Sequence, residues 1–312
     1  MRKFIRKSCM ITLLVIGITA IGGCSEKTDV SSEDSAAEQT TGGYEMPEFM
    51  DAEFSKDEAT VYEDGSVLVD ETKLSSGYLA ISAEEDNELK LKITHSEESY
   101  IYDIANDGTA EFFPLNMGDG TYEVVILGFV SEAKYAKIFS ADYEVSMENE
   151  FDPYIRPNKV VTYSQDSECV KLVTELAKKA EDDADLVSIV YEYLCDHVSY
   201  DNEKAETVES GYLPNPDETL ETGKGICFDY AALAASMFRS AGIPCQLITG
   251  YVSPSNVYHA WNKVYLESQG WVTVEIAADA KDWNRIDITF AASGVDTEKV
   301  EDDTLYTQRY VY

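Results

Sequence analysis

Positive charge is scarce in this 312-residue chain: 24 Lys and Arg stand against 59 Asp and Glu, a formal net charge of −35. Phosphate binding needs clustered cations, so this balance argues against nucleic acid as a partner. The acid is spread along the chain, which reads first as solubility and repulsion. Histidine is scarcer still, at three residues: His95, His197 and His259. No C-x-x-C spacing accompanies them, which argues against a zinc site, and no D-x-D-x-D-G run offers a calcium loop. No metal and no prosthetic group is implied. With Cys9 and Cys24 set aside, four cysteines remain, too few for a disulfide framework in so long a chain, although a Cys169–Cys195 pair stays open. Nor is any apolar run long enough to span a bilayer comfortably, and no internal repeat is present.

The longest apolar run, from about Met10 to Ile21, reads as part of an export signal. Arg2, Lys3, Arg6 and Lys7 precede it, and Ile21-Gly22-Gly23-Cys24 follows. This end of the chain resembles a bacterial lipobox, in which small residues admit the peptidase and the Cys24 thiol receives a diacylglyceryl group. A plain signal peptide or a short membrane anchor is the alternative. Cleavage before Cys24 strips four positive charges from an already acidic chain, so lipid rather than electrostatics would have to hold it at a membrane. Residues 1–24 are therefore expected to be signal peptide and lipobox, with the remainder anchored on the extracytoplasmic face of the cell membrane.

Residues 25–49 are rich in Ser, Thr, Glu, Asp and Gly and are expected to form a disordered tether. Over residues 50–152 short alternating runs appear, such as Leu89-Lys90-Leu91-Lys92-Ile93 and Tyr122-Glu123-Val124-Val125-Ile126. Turn signals at Asp64-Gly65, Ser76-Gly77, Asp107-Gly108 and Asp119-Gly120 divide them, which predicts a small antiparallel β-sandwich. The Asp-Gly-Thr-Tyr-Glu-Val-Val stretch also resembles strands of immunoglobulin-like bacterial domains. His95 is expected at the surface, near a strand end.

Asp152-Pro153 and Arg156-Pro157 mark a boundary, and residues 153–312 form the second predicted domain. Cys169, Val170, Val173, Leu176, Ala177 and Ala180 recur at helical spacing behind a cap at Ser164 or Asp166. A second helix carries Leu186, Ile189, Val190, Tyr193, Leu194 and His197 on one stripe, which places His197 near a buried face as a structural histidine. A polar loop is expected from there to Gly223.

The segment most informative about chemistry begins at Gly223-Lys224-Gly225-Ile226-Cys227-Phe228-Asp229-Tyr230 and continues as an Ala-rich helix former. Cys227 is thus predicted at the N-terminus of a buried helix, where unpaired N–H groups and the helix dipole favour a thiolate. Asp229 is expected to support that first turn by its charge. The helix stops at Gly242-Ile243-Pro244, and Cys245 enters a strand as a small buried residue. Three strand-like runs follow, Gln246 to Val252, His259 to Leu266 and Gly270 to Glu275. Alternation puts His259, Trp261 and Lys263 on one face and Ala260, Asn262 and Val264 on the other. Trp261 and Trp271 read as core residues. A Cys on a helix facing a His on a following strand suits a thiol nucleophile, with imidazole taking the thiol proton and returning it to the leaving amine. Glu275, on the next strand, could orient the imidazole. Tyr200, Tyr230 and Tyr258 are candidates for the cleft, and the Cys227 backbone N–H is the proposed oxyanion donor.

The runs G-K-G-I-C-F-D-Y-A, A-G-I-P, I-T-G-Y, H-A-W-N-K-V-Y and G-W-V-T-V-E, in that order over about residues 223–275, resemble the bacterial transglutaminase-like superfamily. The resemblance implies an α+β architecture: a papain-like transglutaminase core of helices plus antiparallel sheet, here preceded by the β-sandwich. It also implies a Cys–His–Asp triad, carried over as Cys227, His259 and, by position, Glu275. Glu in place of Asp departs from the family pattern, and Asp279 is a poorer candidate for the third member. The activity implied is acyl transfer or amide and peptide hydrolysis through a Cys227 thioester, as in a transglutaminase or a cysteine peptidase. The substrate would be a protein or peptide, including cell-wall peptide. The alternative is a non-catalytic surface module that uses the same fold to bind.

Overall fold

Alternation of apolar and polar residues becomes strand geometry in the first half of the chain. The computed structural model describes residues 43–62, 65–132, 134–253, 256–274 and 306–312. Cys24 and the signal segment, most of the tether, Glu275 and Asp279 lie outside the described residues.

One four-stranded antiparallel sheet consists of β1 (Thr60–Tyr62), β2 (Val67–Asp70), β3 (Tyr78–Ala83) and β6 (Ala110–Pro114), in the order β1-β2-β3-β6. A second consists of β4 (Leu89–His95), β5 (Glu98–Ile104), β7 (Gly120–Ser131) and β8 (Lys134–Val145), in the order β5-β4-β7-β8. Leu89, Leu91 and Ile93 of β4 turn inward while Lys90 and Lys92 turn out, the period-two pattern of a half-buried strand. Val69 and Ile81 from one sheet share a core with Leu91, Ile93, Val124 and Ile126 from the other. The expected sandwich is therefore present. Gly77, Gly108 and Gly120, from the predicted turn signals, all adopt positive φ, which explains why glycine occupies the tight turns.

The buried core continues through Val160, Val161 and Tyr163 into the helical part. There follow α1 (Glu168–Ala177), α2 (Asp183–His197), the two-residue β9 (Ser199–Tyr200), α3 (Asn202–Thr207), α4 (Pro216–Thr222), the two-residue β10 (Lys224–Gly225) and α5 (Cys227–Ser240). The last sheet has the order β13-β12-β11-β14, built from β11 (Cys245–Val252), β12 (Val257–Leu266), β13 (Gly270–Val274) and β14 (Tyr306–Val311). Helix α5 is buried on every side from Asp229 to Ser240, since β11 and β12 cover one flank and α1, α2 and α4 the others. That enclosure is why its sequence is apolar nearly all round. Among the described residues no helix is long and apolar enough to cross a membrane.

Several local expectations are corrected. His197 is exposed: it continues the half-buried Ile189–Tyr193 row, stacks on Tyr193 with ring centroids 3.9 Å apart, and Val198 takes the buried position instead. Cys169 is buried and Cys195 exposed, and both thiols are free. The cap of α1 is neither Ser164 nor Asp166. The helix starts after Ser167, and its first N–H groups, from Glu168 and Cys169, both donate to the Asp217 carboxylate at 3.0 Å. Asp217 belongs to α4, inside the stretch read as a polar loop. Both helices of that stretch have ordinary start signals: Asp201 accepts from Lys204 N, and Asn215 accepts from Asp217 N and Glu218 N with Pro216 at the first helical position. The tail of the expected tether is also held in place. Tyr44 donates its hydroxyl to Ala241 O at 2.8 Å, and Phe49 packs edge-on against Tyr163. His95 is half-buried, stacked on Tyr122.

Candidate active site

The backbone turn that delivers Cys227 is set by Gly225 and Asp229. Gly225 pairs with Tyr200 in the short parallel β9–β10 ladder, and a Cβ on it would fall 2.6 Å from the Asp229 Cβ, so only glycine fits. Ile226 caps α5 in extended conformation, and its N–H donates to Asp229 Oδ2 at 2.8 Å, the N3-carboxylate half of a capping box. Cys227 is the first helical residue and is half-buried. The first N–H groups of an α-helix have no partner within it, and Cys227 stands at that end of α5.

Asp229 does more than contribute charge to the first turn. Fully buried, it forms an ion pair with Lys204 Nζ at 2.8 Å and accepts a hydrogen bond from the Tyr212 hydroxyl, while Lys204 also donates to that hydroxyl at 2.7 Å. The network ties α3 and the loop after it to the turn carrying Cys227. Burial opposes charge on Lys204, but its bonds to Asp229 and Tyr212 outweigh this and raise it above the ordinary lysine value. Tyr212 is pushed up to about 12, by burial first and then by its bond to Asp229. Sequence reading missed Lys204 and Tyr212 because both lie in the stretch taken for a loop. Tyr200 is raised by burial first, with smaller electrostatic contributions from its neighbours Cys227 and Asp229.

His259 stands half-buried on β12, opposite Gly250 of β11. A side chain at Gly250 would collide with the Thr307 carbonyl of β14. Its ring lies 6.5 Å from that of Trp261, which is buried as expected of a core residue, whereas Trp271 is only half-buried. Asn262, on the opposite face, is buried and donates through Nδ2 to Ala231 O of α5 at 3.0 Å and to Gln246 O of β11 at 3.4 Å. This side chain couples the strand bearing His259 to the helix bearing Cys227, a role its apolar surroundings in the sequence do not signal.

Cys227 and His259 line one cleft of about 1000 Å³, together with Tyr200, Tyr212 and Tyr258. Its far wall comes from the sandwich, through residues 101–105 of β5 and the turn after it. Tyr258 donates to Thr249 Oγ1 at 2.8 Å, whereas Tyr230 is buried away from the cleft with its hydroxyl on Val198 O at 2.6 Å. Glu275, the sequence candidate for the third group, follows directly on the last described residue of β13 and lies outside the described residues. Among the described residues no group of three or more His, Cys, Asp or Glu side chains could hold a metal ion. A thiol at a helix N-terminus and an imidazole on the facing strand, opening on one cleft, are the parts needed for acyl transfer through sulfur.

Residues 170–276 match the family model described as the Transglutaminase-like superfamily. This span contains α2 through β13 and with them both Cys227 and His259. The kyphoscoliosis peptidase of Mus musculus is 29% identical over 150 residues, which cover 45% of this chain and 21% of the relative. A protein-glutamine gamma-glutamyltransferase of Pseudomonas aeruginosa is 32% identical over 71 residues, covering 19% of this chain and 11% of the relative. The chain thus spans about a fifth of the length of the kyphoscoliosis peptidases it matches. Among solved structures, the periplasmic domain of TgpA from Pseudomonas aeruginosa aligns over 68% of this chain and 70% of its own, at 15% identity and a TM-score of 0.32.

Proposed function

We propose that this chain, whose residues 170–276 are a transglutaminase-like domain of papain-like α+β fold, is a surface lipoprotein that carries out acyl transfer or amide hydrolysis through a Cys227 thioester. One observation supports the reading most directly: Cys227, in the first turn of buried α5, and His259, on β12, open on the same cleft. His259 takes the thiol proton as Cys227 sulfur attacks the substrate carbonyl. The tetrahedral adduct collapses when the imidazolium returns that proton to the departing amine, leaving a thioester. Water then yields a carboxylic acid, or a lysine amine yields a cross-link, and Cys227 regains its proton through His259. Glu275 is the proposed orienting carboxylate for His259, and Cys24 the proposed lipid attachment that keeps the domain at the outer face of the cell membrane.

The test is iodoacetamide labelling of each cysteine, followed by peptide mass spectrometry, in the chain and in its His259→Ala variant. Cys227 is expected to label at pH 6.5 at least tenfold faster than the exposed Cys195, and to lose that advantage without His259. Equal labelling of the two thiols in both proteins defeats the catalytic reading and leaves the cleft as a binding site. With a glutamine donor and an added amine, ammonia release marks cross-linking; peptide cleavage without it marks hydrolysis.

A further inference from the structure

The sandwich faces the reactive cleft with the edge of a sheet. Among the described residues β5 is the outer strand of its sheet and pairs only with β4. The hairpin joining them has a two-residue turn, Ser96-Glu97, with Ser96 at φ 54 and His95 paired to Glu98. In such a hairpin the closing pair exchanges both hydrogen bonds, and hydrogen-bonded positions then alternate along the ladder. Glu98, Tyr100, Tyr102 and Ile104 therefore turn their backbone groups toward β4. Ser99, Ile101 and Asp103 turn theirs outward, and among the described residues those groups make no hydrogen bond.

The outward edge points into the cleft. Residues 101–105 all line it, although alternate side chains leave opposite faces of the strand, an arrangement that requires the edge between the faces to look into the space. On one side Gly211, in the loop before α4, comes beside Asp103; on the other Tyr310 and Tyr312 pack against Tyr100 and Tyr102. Seven large apolar side chains are exposed among the described residues, and five of them line this one cleft: Ile101, Val208, Leu213, Val257 and Tyr258. Apolar exposure concentrated in that way marks a binding surface. The hydroxyl of Tyr102, on the same wall, is buried with no hydrogen-bond partner among the described residues.

We propose that β5 is the docking strand for an extended polypeptide, which adds to the open edge as a further strand of the sandwich sheet and is thereby laid past Cys227. An unpaired strand edge offers alternating N–H and C=O groups that only another extended backbone matches along its length, and the apolar walls receive its alternate side chains. The sandwich is then part of the substrate site, and the preferred substrate is an unfolded or extended segment with apolar residues at alternate positions.

The proposal rests on the cleft being the reactive site, and its test is separable from the test of that reading. A random dodecapeptide display library is panned on the full chain carrying Cys227→Ala, so that nothing bound is consumed, and the selected peptides are synthesised. Their affinity is expected to fall at least tenfold when Ile101→Pro is added. Proline at that position removes one outward N–H and leaves the ladder to β4 intact. The same loss is expected, with no change in the protein, when alternate backbone amides of the peptide are N-methylated. That arm decides alone if the proline variant does not fold. Peptides that bind equally after either change, or a selection that yields none, overturn the proposal. Iodoacetamide labelling of Cys227 needs no peptide: fast labelling without edge-dependent binding sinks this proposal, and edge-dependent binding with slow labelling sinks the catalytic reading.

Discussion

The ion pair beneath Cys227 makes a quantitative prediction. Lys204→Met leaves the Asp229 carboxylate fully buried without its cation, although Ile226 N–H and the Tyr212 hydroxyl still donate to it. Removing one partner of a buried pair costs about 3–5 kcal/mol; because 27% of the Lys204 side chain is exposed, a loss of about 2–3 kcal/mol is expected. Asp229→Asn is a milder change, since the amide oxygen still accepts from Ile226 N–H and the freed Lys204 can turn to water, for about 1 kcal/mol. With a urea slope of about 2–3 kcal/mol/M, the midpoint at pH 7 falls by about 1 M for Lys204→Met and by less than about 0.5 M for Asp229→Asn. The double variant should be more stable than Lys204→Met alone, because the stranded charge is gone. A midpoint for Asp229→Asn as low as that for Lys204→Met would refute the reasoning, because the carboxylate would then matter for its hydrogen bonds and not for its charge.

Three further outcomes are expected. Gly225→Ala forces its Cβ to within 2.6 Å of the Asp229 Cβ and should lower the thermal midpoint while slowing labelling of Cys227, as calorimetry and peptide mass spectrometry can check. Unchanged values of both would show that the turn has room to yield. Glu275→Asp, which restores the residue type of the family pattern, should raise turnover from a measurable baseline; no activity in either form favours the binding alternative. Stability should fall as pH rises from about 10 toward 12. Lys204 and Tyr212 are both raised in the folded chain, so the unfolded chain releases those protons first; their stabilisation is complete below about pH 10 and drains above it. A urea midpoint that holds constant to pH 12 contradicts this.

Much of the architecture was legible because local rules and tertiary packing agree. Alternating runs with Asp-Gly or Ser-Gly punctuation became the sandwich strands. The Ala-rich run after Gly225 became a buried helix, ended by the positive-φ Gly242 before Pro244. Cys227 at the helix start and His259 on the following strand were readable for the same reason, since helix and strand periods fix where each residue points. His197 misled because its stripe runs to the last turn of α2, where the neighbouring Val198 competes for the buried site. The two short helices between β9 and β10 escaped a hydrophobic-period search because they are too brief to repeat. Their caps, Asp201 and Asn215-Pro216, were the available signal.

Residue order alone marks Cys227 and His259 as candidates for chemistry, and it shows which segments alternate as strands or recur as helices and in what succession. Backbone sterics and side-chain period are local properties, written residue by residue. It takes the folded chain to bring Lys204 and Tyr212 to Asp229, to join β12 to α5 through Asn262, and to wall the cleft of Cys227 with β5. Those pairings join residues distant along the chain, and their partners are chosen by the burial of polar groups that must be satisfied once the core closes.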